Sequence, residues 1–184
     1  MSAAHTHFFW EFRGRILQHL HAASRERADD NLAQVRQHMA MYARGGDPVI
    51  FSQFYGYQAR LQWQQGNLRA GFAAIVDAFA ILESIDERHF VPELHRLRGE
   101  LLVAQAEDAA EAESCFHRAL QLAREQQSRS MELRAAMSLG RLWQSQRKQR
   151  QARELVAAVY GWFSEGLDTP DLKEARALLQ AWSP

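Results

Sequence analysis

Four glycines, Gly14, Gly56, Gly99 and Gly140, recur at intervals of 42, 43 and 41 residues, each inside helix-forming sequence. A glycine inside a helix costs about 1 kcal/mol relative to alanine. Four of them at one periodic position therefore predict a neighbouring backbone too close to admit a side chain. A second series keeps step: Asn31, Gly71, Ala112 and Ala152 follow at intervals of 40, 41 and 40. Four residues beyond each stands Val35, Ile75, Phe116 or Val156, and three further on His38, Ala78, Ala119 or Val159. A small residue, then a large one, then usually a small one would interlock with the glycine of a preceding helix. The chain reads as a repeated helix hairpin.

The rest of the sequence agrees. Threonine occurs only at Thr6 and Thr169, while Ala, Leu, Arg, Gln and Glu, all good helix formers, dominate. Apolar residues recur at three and four, as in Leu94, Leu97, Leu101, Ala104 and in Phe116, Ala119, Leu120, Ala123, which gives each helix one apolar face. No convincing period-2 strand is found. Pro48, Pro92 and Pro170 fall near helix starts, where a missing N–H costs little. Asn67 after Gly66 reads as an N-cap, and Asp108 with Glu111 has capping-box spacing. The punctuation predicts nine helices, at 6–22, 29–43, 48–65, 68–85, 91–106, 109–126, 130–146, 150–164 and 170–182.

The fourth unit defines the repeat type. Ala136, Leu139, Gly140 and Trp143 match the first helix of a tetratricopeptide repeat, and Ala152, Val156 and Val159 match the second. The third unit is ambiguous by one residue, because Leu97 and Gly99 cannot both hold the paired Leu-Gly positions. The period near 41 exceeds the usual 34 and lies in the HEAT range; longer loops between paired helices account for the difference, so the Gly and Ala pattern takes precedence. The stretches PELHRLRGELLVAQ (92–105), AESCFHRALQLAR (112–124) and LVAAVYGWFSEGLDTPDLKEARALL (155–179) resemble the C-terminal helical-repeat region of bacterial ATPase and adenylate/guanylate cyclase-type signalling regulators. FFWEFRGRIL (8–17) resembles an earlier helix of that region. The resemblance implies a superhelical scaffold that senses or recruits a partner for a neighbouring enzymatic or DNA-binding domain. It does not carry over catalysis, since the chain has no phosphate-binding Gly-x-x-x-x-Gly-Lys-Ser/Thr loop.

Composition narrows the chemistry. The 22 basic and 22 acidic residues cancel, which argues against bulk attraction to nucleic acid or to an anionic membrane. The single Cys115 cannot form an internal disulfide. No apolar run approaches the roughly 18 residues of a membrane span, and Met1 to Phe12 show no signal-peptide pattern. The cytoplasm is the expected location. His5 with His7, and His19 with His21, diverge on a helix, and no His-Glu-x-x-His occurs, so no metal or cofactor is expected. Cys115 and His117 diverge likewise and read as a half-buried structural cysteine beside a surface histidine; Glu113 and His117, at i and i+4, read as a surface ion pair. The basic run 141–153 is expected to be a solvated turn with Trp143 in the core.

The expectation is an all-α, right-handed α-solenoid forming one domain over 1–184. Its four tetratricopeptide-like hairpins span about 6–43, 48–85, 91–126 and 130–164, with a capping helix at 170–182. Its function is expected to be non-enzymatic binding of a protein or peptide on the concave face lined by first helices, through Gln53, Tyr57, Arg60, Arg96, Glu100, Arg134 and Arg141. Cationic reaches outnumber the single Glu there, which suits an acidic peptide. The alternatives are a nucleic-acid-binding repeat, an unrecognised enzyme, or a detached remnant of a larger regulator. The aromatic group Phe8, Phe9, Trp10 and Phe12 covers more than one helix face, and predicts a homodimer through the N-terminal end of the array.

Overall fold

The computed structural model describes Gln18, Gln34, Gln37 and residues 51–183 apart from 85, 86 and 107. Gln18, Gln34 and Gln37 are helical; the rest of the spans expected at 6–22 and 29–43, including Gly14 and the four N-terminal aromatics, lies outside the described residues. From Phe51 onward the described residues are all-helical, with no strand: α1 (Phe51–Gln64), α2 (Leu68–Ser84), α3 (Val91–Gln105), α4 (Ala109–Glu125), α5 (Arg129–Ser145), α6 (Gln149–Tyr160) and α7 (Pro170–Ala181). Within the described residues the expected boundaries hold to within two residues except at α6, expected to reach 164; the expected start of α1 at 48 lies outside the described residues. It stops at Tyr160, where Gly161 caps it and a non-helical stretch with Gly166 at φ +65° follows. The chain parts between Arg88 and His89 into two compact units.

In the first unit α1 packs on α2. Phe51, Phe54 and Leu61 from α1 meet Ala74, Ile75, Ala78 and Leu82 from α2, all buried. The expected second-helix series is the inward one here: Gly71, Ile75 and Ala78 are buried, while Ala73, Val76, Asp77 and Ala80 face outward. Ser52 donates to Glu87, and both are buried.

In the second unit α3 pairs with α4 and α5 with α6; α5 also packs on α3 and α4, and α7 on α5 and α6. The glycine positions explain the pairing. A Cβ on Gly99 would lie 2.5, 2.8 and 2.9 Å from three ring atoms of Phe116, which is fully buried in α4. A Cβ on Gly140 would lie 2.8 Å from Trp182 and 3.2 Å from Val156. The glycines therefore make room for side chains, not for the neighbouring backbone that the sequence suggests. The third-unit ambiguity resolves as well. Leu97 and Gly99 are both inward, and Arg98 between them turns out to Glu111 at 2.5 Å. Of the residues expected to seat the capping helix, Leu172 and Ala175 are buried and Leu178 and Leu179 half-buried, but the largest contribution comes from Trp182, one residue beyond α7.

Helix ends are set locally. Asp108 caps α4 through Oδ1, which accepts from the N–H of Ala110 and of Glu111, each at 2.9 Å. Asn67 accepts from Ala70 N–H at 3.4 Å at the start of α2. The helices α1, α3, α4 and α5 each end at a residue with left-handed backbone: Gly66, Ala106, Gln127 and Arg147, with φ of +76°, 57°, 55° and 64°. At three of these turns the paired backbone bonds of a Schellman closure form, for example Arg147 N–H to Gln144 O at 2.9 Å and Lys148 N–H to Trp143 O at 2.8 Å. Only one of the four has the glycine this geometry favours.

Three outcomes follow. Phe116→Ala should destabilise the protein by about 3–5 kcal/mol, because the side chain is fully buried and leaves its cavity against a glycine. Gly99→Ala should also destabilise, by up to about 2 kcal/mol, despite alanine's better helix propensity, since the buried ring must move. Urea denaturation measures both; a neutral Gly99→Ala would show that the ring does not press on that position. Arg147→Gly should raise the thermal midpoint, because a left-handed L-residue costs about 1–2 kcal/mol that glycine avoids, and calorimetry reads the shift.

Candidate interaction surface

The seven side chains expected on a binding face fall on first helices of both units. In the first unit Gln53 and Tyr57 are half-buried on α1, with the Gln53 amide donating to the Tyr57 hydroxyl at 2.9 Å, and Arg60 is exposed. In the second unit the face is the one along which α3, α5 and α7 lie side by side. Arg96 is buried: its Nε and one terminal nitrogen hold the two carboxylate oxygens of Glu93 at 2.8 and 2.7 Å. The other terminal nitrogen donates to Glu100 at 3.1 Å and to Ser138 of α5 at 3.3 Å. Ser138 donates in turn to Glu100 at 2.5 Å. Burial alone would lower the Arg96 pKa, but the carboxylates of Glu93 and Glu100, with Asp171 beyond, outweigh it and raise the net value. Arg134 reaches Asp171 of α7 at 2.6 Å, and Arg141 reaches Glu174 of the same helix.

The three arginines of the second unit that were offered to an acidic peptide thus have carboxylate partners within the chain, and one of them, Arg96, is itself buried. The expected cationic surplus is balanced in the second unit by the i−3 neighbour Glu93 and by the two α7 carboxylates, Asp171 and Glu174. The structure brings Arg96 and Glu100 together in one network, and ties Arg134 and Arg141 separately to α7. Its signal in the sequence was the i, i+3 and i+4 spacing of Glu93, Arg96 and Glu100.

A second feature was not anticipated. An open groove of about 410 Å³ lies among α4, α5 and α6, with an apolar lining of Leu120, Leu139, Trp143 and Leu155 and a polar edge that includes His117 and Arg124. Trp143, expected in the core, is half-buried here. Its indole N–H donates to Glu113 Oε1 at 2.7 Å, which holds the ring at the groove wall, 5.9 Å from the His117 ring. Glu113 is the polar hub. The Trp143 bond lowers its pKa most, and Lys148, Gln146 and His117 lower it further against a smaller effect of burial. His117 Nε2 lies 3.8 Å from Glu113 Oε1, on the face their spacing predicts, a looser contact than the indole bond. Arg124 is held by Glu132 at 2.7 Å, a buried carboxylate that Arg129 also binds at 2.6 Å. Arg129 stacks 3.9 Å over the ring of Trp162, which is 65% exposed.

The basic run 141–153 divides among several partners: Arg141 pairs with Glu174, Lys148 lies 3.9 Å from Glu113, and Arg150 lies 3.6 Å from Glu154. Cys115 is buried rather than half-buried, and burial raises its pKa. Among the described residues no three His, Cys, Asp or Glu side chains gather as a metal would require. No helix among them is long and apolar enough to cross a membrane.

One group outside both features sets a pH dependence. Burial of His95 in α3, together with the positive charges of Arg118 and Arg98, lowers its pKa from 6.5 to about 4. The unfolded chain therefore takes up a proton between those values that the folded chain refuses. Stability is full above about pH 6.5 and declines as pH falls toward 4. His95→Gln should flatten the unfolding midpoint across that window. An unchanged slope in the variant would assign the acid sensitivity to other groups.

No protein-family model matches the chain, and no curated protein matches it.

Proposed function

We propose that the chain is a non-enzymatic interaction module: a right-handed solenoid of tetratricopeptide-like hairpins that binds a protein or peptide in the cytoplasm along its first helices. The observation that carries this is the repeated interlock, Gly99 with Phe116 and Gly140 with Val156, at matching positions of consecutive hairpins. Helix pairs that stack by such a rule present successive first helices as one extended surface, the general use of repeat arrays. The state of the polar groups supports the same reading. Glu113, Arg124 and Arg96 are each turned to a neighbouring side chain, whereas acid–base chemistry needs groups converging on a common point within hydrogen-bond reach. The resemblance of 92–105, 112–124 and 155–179 to the helical-repeat region of bacterial ATPase and cyclase-type regulators supports a role in signalling or transcriptional control. With the arginines of the second unit paired internally, the partner is one that offers both donors and acceptors rather than a run of acids.

Photo-crosslinking from single positions tests the proposal, with the chain expressed in its source cell. A cross-linker at Tyr57 or Arg141 should trap one dominant partner, and one at Arg153, exposed on α6, should not. With that partner purified, Arg60→Glu combined with Arg141→Ala should weaken binding by about tenfold or more while leaving stability within roughly 1 kcal/mol, because exposed ion pairs contribute little. A footprint confined to Arg153 and its neighbours would overturn the proposed face.

A further inference from the structure

The groove among α4, α5 and α6 has an apolar floor, and most of the polar groups around it are already engaged. The Gln121 amide is used on both sides: its oxygen accepts from Arg118 at 3.1 Å and its nitrogen donates to Glu125 at 2.8 Å. The indole N–H of Trp143 is given to Glu113, the carboxylate toward which His117 also lies. Arg124 differs. Its Nε donates to one oxygen of Glu132 at 2.7 Å, and Arg129 takes the other oxygen at 2.6 Å. Among the described residues the two terminal nitrogens of Arg124 meet no acceptor, and its side chain is 54% exposed while that of Glu132 is 5% exposed. A buried carboxylate thus fixes the guanidinium at the groove edge and leaves its outer donors to solvent.

We propose that this groove is a peptide-docking site, which takes one apolar side chain over Leu120, Leu139 and Leu155 and sets the carboxylate of the adjoining peptide residue on Arg124. Charge complementarity identifies the occupant. Three guanidiniums, Arg118, Arg124 and Arg129, stand at this edge against two carboxylates, Glu125 and Glu132, so one further carboxylate neutralises it. A phosphate or a run of acids would bring a second charge against Glu125. The volume of about 410 Å³ suits one large side chain with the backbone that carries it. The groove is open, so a free small molecule would leave much of its surface in water, whereas a side chain is covered by the peptide that bears it. Arg129 continues the edge to Trp162, whose exposed ring offers that peptide a flat apolar surface. Arg124 is held in place before binding, which limits the ordering cost of the contact. The site is separate from the first-helix face, which α3, α5 and α7 form, and does not depend on it.

Indole N–H resonances of the isotope-labelled full chain test the proposal, with the Trp143 signal identified by its loss in Trp143→Phe. The probe is the peptide acetyl-Ala-Phe-Glu-Ala-amide, compared with versions carrying Gln for Glu or Ala for Phe. The probe should move the Trp143 signal saturably, and each replacement should weaken its affinity by about fivefold. Arg124→Gln should remove the preference for Glu over Gln and keep the preference for Phe over Ala, a split that a general loss of structure would not produce. Arg124→Lys should restore part of the charge preference. Arg60→Glu combined with Arg141→Ala should leave the affinity unchanged, which separates this site from the first-helix face. The absence of a saturable shift at Trp143 overturns the proposal, as does equal affinity for the Glu and Gln peptides or a charge preference that survives Arg124→Gln. Loss of binding in the Arg60 and Arg141 double variant moves the peptide to the other face and also overturns it. Tighter saturable binding of octanoate than of the peptide at Trp143 would make the groove a small-molecule site instead.

Discussion

At Gly99 the surface of α3 carries no side chain, and the whole Phe116 ring of α4 occupies the space that a single Cβ would claim. The rest of the second unit depends on this contact. It sets how closely α3 and α4 approach, and so where Leu97, Leu101, Ala119 and Ala123 meet as a layer. That layer in turn presents the surface onto which α5 packs. The contact is also costly to alter from either side, since enlarging the glycine forces a buried ring to move and truncating the ring opens a cavity. A glycine that weakens its own helix is offset by tertiary packing that no other residue would permit.

Electrostatics plays a different part on the face where α3, α5 and α7 run together. Arg96 is buried between two glutamates of its own helix and bonded to Ser138 of α5; Arg134 and Arg141 bind carboxylates of α7. Exposed pairs add little to stability, and a buried pair can barely recover its desolvation. Their effect is geometric. The fork from Arg96 to Glu93 holds the guanidinium on its own helix, and single bonds to Ser138, Asp171 and Glu174 tie each helix of that face to its neighbour.

Much of this was legible in the residues. The buried series Ile75, Ala78, Ala112, Phe116, Ala119, Ala152, Val156 and Val159 follows from a period that needs only spacing to detect. Helix limits were readable because prolines, Asp108 and Asn67 act within a few residues of themselves. What was missed depended on distant partners. The glycines looked like sites of backbone contact because sequence shows a missing side chain but not what fills the space. Trp143 looked internal because an indole whose N–H reaches a carboxylate 30 residues earlier has no local signature. The left-handed turns at Ala106, Gln127 and Arg147 lacked the glycine that would have announced them. The cationic surplus of the second unit was misjudged for the same reason: Asp171 and Glu174 are far from Arg134 and Arg141 in sequence and adjacent in space.

The two glycine positions of the second unit differ in where their filler comes from. Gly99 is satisfied within its own hairpin, by Phe116. Gly140 faces only a valine from its hairpin, and the remaining space is taken by Trp182 from the last turn of the chain. The α3–α4 hairpin is therefore filled at this position from within itself, whereas the α5–α6 hairpin is finished by material from the helix that follows it. Modules of the first kind can be duplicated, shuffled or transplanted during evolution with their cores intact. Modules of the second kind are bound to a particular neighbour and travel only with it. A repeat that hands part of its core to the next one thereby gives an otherwise interchangeable series a fixed order.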